Sequence, residues 1–345
     1  MASSDYVGRD LVTLRGVMTA FADASAAARA PKGRVPDFFV VGHPKSGTTA
    51  LNEMLRRHPQ LYMPDLDGTQ FFAPELHPRP RQSNTHQDAV EDYRSLFEAA
   101  RPEQRAGEVS PSYLWSRTAA SRIAELRPDA RIIAILREPA SFLRSLHLEL
   151  LQDHVETEKD LGKAIALDEV RRQEKEVRHS DSQKGLRYSA ERVQYVEQLR
   201  RYHAVFPPEQ VLVLIYDDFR ADNEGTVRQV LRFLEVDDTS PIEVTEANPT
   251  VLVRSPRLYA LVRSLYLGRG LGARAAKAGI KALTPRQLRR DGLESFRRGV
   301  LYGKPRPPDE ELMLELRRRS KGEVVALSEY LDRDLVTLWG YDSIG

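Results

Sequence analysis

Residues 37–49 read Asp37-Phe38-Phe39-Val40-Val41-Gly42-His43-Pro44-Lys45-Ser46-Gly47-Thr48-Thr49. An apolar run of β type over 37–42 ends in a glycine, a tight loop follows, and two hydroxyl residues open a helix predicted over 48–58 and stopped by Pro59. A loop of this kind aims backbone N–H groups at an anion, and the helix N-terminus adds a favourable dipole. Leu51 and Leu55 give the helix an apolar face, and Arg56 and Arg57 point away from it.

Working outward, the apolar and amphipathic segments alternate. Strands are predicted over 105–109, 131–136 and 211–216, and helices over 89–100, 117–126, 139–152, 160–178, 188–205 and 223–235. Pro139 suits the first turn of its helix. The alternation predicts an α/β fold, a mostly parallel central sheet covered by helices on both faces. Residues 8–29 carry Leu11, Leu14, Met18 and Phe21 at helical spacing and precede a Pro/Gly/basic linker. The expected organisation is therefore an N-terminal helix and linker over 1–36 and one domain over 37–345, with its core at about 37–240. Residues 256–290 are basic and Gly-interrupted, a solvated helical pair or a cap over the site. Two helices are predicted over 309–339, which dock Leu331, Leu335, Leu338 and Trp339.

The bulk numbers exclude several classes. A formal charge of +2, from 52 basic and 50 acidic residues, gives no global field for a nucleic acid. Zero cysteines remove disulfides, thiolate metal sites and cysteine nucleophiles together. None of the eight histidines forms a zinc-type pair on a helix, so no metal is expected. No apolar run reaches membrane-spanning length, and Asp5, Arg9, Asp10, Arg15 and Asp23 interrupt the N-terminus, so neither a transmembrane segment nor a signal peptide is expected.

The first loop spaces its glycines like a Walker A motif but continues Thr48-Thr49 where an NTPase places Lys-Ser or Lys-Thr; the lysine sits inside the loop, at Lys45. Pro44-Lys45-Ser46-Gly47-Thr48-Thr49 resembles the 5′-phosphosulfate loop of sulfotransferases that use 3′-phosphoadenosine 5′-phosphosulfate (PAPS). Arg131-Ile132-Ile133-Ala134-Ile135-Leu136-Arg137-Glu138-Pro139, continuing to Ser145, resembles that family's 3′-phosphate strand, loop and helix. The resemblance implies a P-loop-like parallel sheet with a helical C-terminal region, and PAPS as co-substrate. It gives donor-binding roles to Lys45, Ser46, Gly47, Thr48, Thr49, Arg137 and Ser145. Lys45 would stabilise charge on the departing phosphate; its bland alternative is a surface lysine in a turn, as Arg137's is a strand cap. Phe296-Arg297-Arg298-Gly299 resembles the late basic-glycine loop that wraps the nucleotide and adds Arg297, Arg298 and Gly299 to the donor set. A soluble, cytoplasmic, bacterial-type member is expected, acting on a small molecule, a glycolipid or a saccharide.

Relatives commonly read Lys-Glu-x-x-Phe-Phe after the first helix, with the glutamate as general base. This chain reads Asp67-Gly68-Thr69-Gln70-Phe71-Phe72, so Gly68 stands at that position. The base stays open between Asp67, another group such as Glu75, His77 or His147, and an acceptor that needs little help. Loss of the base would leave a nucleotide-binding protein. A P-loop kinase is the remaining alternative, with Asp217-Asp218 imitating a Walker B strand end. Glu108-Val109-Ser110-Pro111-Ser112-Tyr113 resembles an acceptor-cleft segment, and Tyr62, Phe71, Phe72, Tyr113 and Trp115 either line that cleft or pack the core.

Overall fold

A computed structural model of the chain describes residues 33–66, 68–76, 86–153, 155–178, 188–244, 252–253, 302–303 and 307–344. Outside them lie the helix expected over 8–29, the basic 256–290 segment, Asp67, His77, Arg297, Arg298 and Gly299.

Five parallel strands form the central sheet: β1 (Phe38–Gly42), β2 (Leu61–Tyr62), β3 (Arg105–Val109), β4 (Arg131–Leu136) and β5 (Val211–Ile215). Their spatial order is β2-β3-β1-β4-β5, with Phe39 paired to Glu108 on one side and to Ile132 on the other. The two-residue β2 was not foreseen; it extends the edge by pairing Leu61 with Arg105 and Tyr62 with Ala106.

Strand β1 is buried along its whole length, and its period-2 alternation divides it between two cores. Phe39 and Val41 join Ile132, Ala134, Tyr113, Tyr195 and Tyr202 on one face. Phe38 and Val40 join Ile133, Ile135, Leu51, Leu55 and Phe219 on the other. The sequence direction reverses at β1, whose neighbours are β3 and β4. In such sheets ligands bind outside the carboxyl ends of the strands at the switch point.

The helices follow the expected order: α1 (Thr48–Arg56), α2 (His86–Ser95), α3 (Ala119–Leu126), α4 (Pro139–Gln152) and α5 (Leu161–Arg178). After these come α6 (Tyr195–His203), α7 (Tyr216–Ala221), α8 (Asn223–Phe233), α9 (Glu310–Tyr330) and α10 (Leu335–Leu338). The helix expected over 188–205 is divided: a 3-10 turn at Ala190–Val193 precedes α6. A small antiparallel pair, β6 (Leu252–Val253) with β7 (Tyr302–Gly303), stands apart from the main sheet.

The C-terminal helices complete the first core with Val324, Leu327, Leu335 and Trp339. They are also bolted to the end of β5. Arg333 donates two bonds to Asp218, at 2.5 and 2.7 Å, and the Trp339 indole donates to Asp217 at 2.9 Å. The acidic pair that imitates a Walker B strand end therefore holds the C-terminus. Glu138 makes a second bolt: it caps α4 through the N–H groups of Ala140 and Ser141 and accepts the Tyr341 hydroxyl at 2.6 Å.

Candidate active site

The loop between β1 and α1 owes its shape to two left-handed residues, Lys45 (φ 60°) and Gly47 (φ 88°). A side chain on Gly47 would also meet the Phe219 ring at 3.0 Å, so both conformation and space demand glycine there. No side chain caps α1, so its first N–H groups keep the donor capacity of a free helix N-terminus. Ser46 and Thr48 are buried in this turn, and Thr49 is exposed.

Arg137 follows β4 directly. Its Nη1 donates to the Lys45 carbonyl at 2.7 Å, its guanidinium lies 4.7 Å from the Tyr216 ring centre, and its own carbonyl accepts the Tyr195 hydroxyl at 2.9 Å. Ser145, two turns along α4, lines with Arg137 a cleft of about 560 Å³. The structure thus brings the Lys45 loop, Arg137 and Ser145 to the carboxyl ends of two adjacent parallel strands.

The cleft holds groups that sequence reasoning missed. Ser141 and Arg144 line it from α4, and Arg317 from α9. Burial, then the charge of Arg137, lowers the Arg144 pKa, the mark of two guanidiniums facing one space. Ser141 lies one helical turn before Ser145 and was legible from that spacing; Arg317 comes from a distant helix and was not. Glu149, also missed, lies one turn after Ser145 and pairs with Lys45, Nζ to Oε1 at 3.2 Å.

His43 sits inside the loop, fully buried, its ring against Phe142 at 4.5 Å and Tyr195 at 5.4 Å. Burial, assisted by the charge of Arg192, pushes its pKa from 6.5 down to about 3. The loop therefore carries a neutral imidazole. Unfolded His43 takes up its proton near pH 6.5 and folded His43 only near 3, so the unfolded state binds more protons between those values. Stability is expected to fall with pH through that window, by about 2 kcal/mol from pH 7 to pH 5. Urea unfolding at the two pH values measures it, and His43→Phe should remove that share of the slope.

The two base candidates among the described residues, Glu75 and His147, are occupied. Burial works against the ionised form of Glu75, but bonds from Ser116 and Thr118 outweigh it and hold the carboxyl below its usual range. The Tyr188 hydroxyl lies 2.8 Å from His147 Nδ1, Nε2 lies 3.3 Å from the Lys159 carbonyl, and burial lowers the ring's pKa. Glu108, in the segment expected to line an acceptor cleft, is buried. It accepts the hydroxyls of Thr69 (2.5 Å), Ser110 (2.7 Å), Tyr113 (2.8 Å) and Tyr93 (2.5 Å). Burial, then Glu108, pushes the Tyr93 and Tyr113 pKa values up. Phe72 and Tyr113 are core residues, and Trp115 lies under the Arg192 guanidinium at 3.8 Å. The packing reading is the one the structure favours for Phe72 and Tyr113.

Gly68 has φ +75°, and a Cβ there would meet the Val109 carbonyl at 3.0 Å and Ser110 Oγ at 3.2 Å. The family pattern leads one to expect that Gly68→Glu preserves or raises activity. The geometry reverses that expectation. The left-handed conformation alone costs a side chain about 1–2 kcal/mol, and the crowding adds to it. Gly68→Glu should lower the unfolding midpoint without gain in turnover; unchanged stability would mean that the loop takes another shape.

Comparison with known proteins agrees with the fold. The model of the Sulfotransferase family matches residues 36–240, more than half of the chain. Human heparan sulfate glucosamine 3-O-sulfotransferase 6 is 28% identical over 202 residues, 58% of this chain and 52% of that protein. Mouse carbohydrate sulfotransferase 15 is 24% identical over 266 residues, 64% of this chain and 46% of that protein. The chain spans about half the length of these curated relatives. A sulfotransferase crystal structure from Alicyclobacillus acidocaldarius superposes with a TM-score of 0.53 at 27% identity, covering 70% of this chain and 98% of that one. The family model that matches residues 36–240, over the five-stranded parallel sheet, means that the chain belongs to the sulfotransferase family.

Proposed function

We propose that this chain transfers a sulfuryl group from PAPS to a hydroxyl or amine of a small-molecule, glycolipid or saccharide acceptor, releasing 3′,5′-adenosine bisphosphate. The observation that carries the reading is the 2.7 Å bond from Arg137 to the Lys45 carbonyl. It couples a lysine-bearing anion loop to an arginine 92 residues away in sequence, so that groups suited to a 5′- and a 3′-phosphate lie beside each other. Ser46 to Thr49 would supply N–H and hydroxyl donors to the 5′-phosphosulfate, and Arg137 with Ser145 would take the 3′-phosphate. Lys45 would stabilise charge on the leaving oxygen, where positioning and electrostatics supply most of the acceleration. The names of the curated relatives support a saccharide among the acceptor classes.

Calorimetry with 3′,5′-adenosine bisphosphate, ATP and 5′-AMP tests the donor. Transfer from radiolabelled PAPS to a panel of phenols, glycolipids and glucosamine-containing oligosaccharides tests the reaction. Tight binding of the bisphosphate alone, with label in an acceptor, is the expected result. Preference for ATP would restore the kinase reading, and bisphosphate binding with no turnover would leave a nucleotide-binding protein.

A further inference from the structure

We propose that Glu149 is the general base of the transfer, a proposal that rests on the sulfuryl-transfer reading above. Glu149 meets the Lys45 ammonium at 3.2 Å with 38% of its side chain exposed, so it is both beside the lysine and open to an incoming molecule. Helix α4 explains how it gets there. Ser145 and Glu149 are four residues apart and share a face, so one face presents the cleft serine and the carboxylate together. His147 is turned roughly 200° from Ser145 at about 100° per residue and is spent on Tyr188 and Lys159.

The competing carboxylates among the described residues are committed elsewhere. Glu75 accepts Ser116 and Thr118, Glu108 is closed off by four hydroxyls, and Glu138 caps α4. Asp217 and Asp218 hold Trp339 and Arg333. Glu149 is the carboxylate that touches Lys45.

Lys45 links the carboxylate to the leaving group: it meets Glu149 at 3.2 Å and is the residue proposed to follow charge onto the departing phosphate. In the step itself the acceptor oxygen forms a bond to sulfur while the hydroxyl proton passes to a Glu149 oxygen. The bond between sulfur and the 5′-phosphate oxygen breaks with its electron pair left on the phosphate, next to Lys45. Charge is conserved and no further reactant is needed.

The test separates binding from chemistry. 3′,5′-Adenosine bisphosphate affinity is measured by calorimetry, and release of that product from PAPS is measured with the panel acceptor or with water. Glu149→Gln keeps the shape and removes the base. It should lower kcat by about 10²–10³-fold while binding the bisphosphate at least as tightly as the parent, because Lys45 is no longer held by a competing charge. Turnover within about fivefold of the parent, far inside the range a base supplies, would overturn the assignment. So would bisphosphate affinity lost in step with turnover, the sign of a loop support. Loss on Asp67→Asn with Glu149→Gln still active would move the proton to the loop after β2 and also overturn it. A parent chain that fails to bind the bisphosphate defeats the donor reading instead. One that binds it and releases none from PAPS defeats the base assignment and leaves a binding protein.

Discussion

Alanine in place of Lys45 is expected to lower kcat by about 10²–10³-fold, the loss seen when one preorganised donor to a developing charge is removed, while 3′,5′-adenosine bisphosphate affinity falls by much less. The two readouts divide because the backbone of the loop, shaped by Gly47 and braced by Arg137, does not depend on the ammonium. Lys45 is itself left-handed, and alanine meets the same backbone cost there, so the comparison is free of a new strain. Its pair with Glu149 joins two partly exposed groups, 26% and 38%, and such pairs contribute only about 0–1 kcal/mol. Unfolding should therefore barely change. Single-turnover kinetics with PAPS and calorimetry with the bisphosphate make the measurement. An unchanged rate would remove Lys45 from the leaving group.

Arg137→Ala should weaken 3′,5′-adenosine bisphosphate by about 10²-fold, the scale of a charge-assisted bond that is lost with its partner left unpaired. The sequence by itself suggests that the bisphosphate would lose far more than 5′-AMP. The structure adds a second effect, because the same guanidinium braces the Lys45 carbonyl and stacks on Tyr216. Removing it loosens the 5′ loop, so 5′-AMP should also weaken, by up to about tenfold for one hydrogen bond of ordinary net strength. The excess loss for the bisphosphate over 5′-AMP is the share that belongs to the 3′-phosphate. Arg137→Lys keeps the charge without the planar fork and should fall between parent and alanine. Equal losses for the two ligands would assign Arg137 to the loop alone.

Much of this fold was legible because its signals are local. The runs 38–42, 131–136 and 211–215 are apolar enough to read as buried strands, and the helix after Pro139 was placed at both ends. The helix expected over 188–205 divided because Ala190–Val193 forms a 3-10 turn before Tyr195, whose buried ring and hydroxyl are fixed by His43 and the Arg137 carbonyl. Strand β2 was missed because two residues carry no periodicity; only pairing with Arg105 and Ala106 makes them a strand.

The order of strand, glycine loop and hydroxyl-led helix at 37–49, and of strand, short loop and Pro139-led helix at 131–145, was determined by sequence, since the local apolar pattern and turn residues lie within a few positions of each other. Which charges meet across the fold was not. Lys45 and Glu149 lie 104 residues apart, Arg137 and the Lys45 carbonyl 92, and Arg333 and Asp218 115. Gly68 reads as an empty catalytic position in the sequence and as a left-handed turn against Val109 in the structure. Those outcomes belong to the tertiary structure, because a side chain's charge finds its partner through packing in space, and the one-dimensional pattern that specifies each helix and strand holds no record of the distance between them.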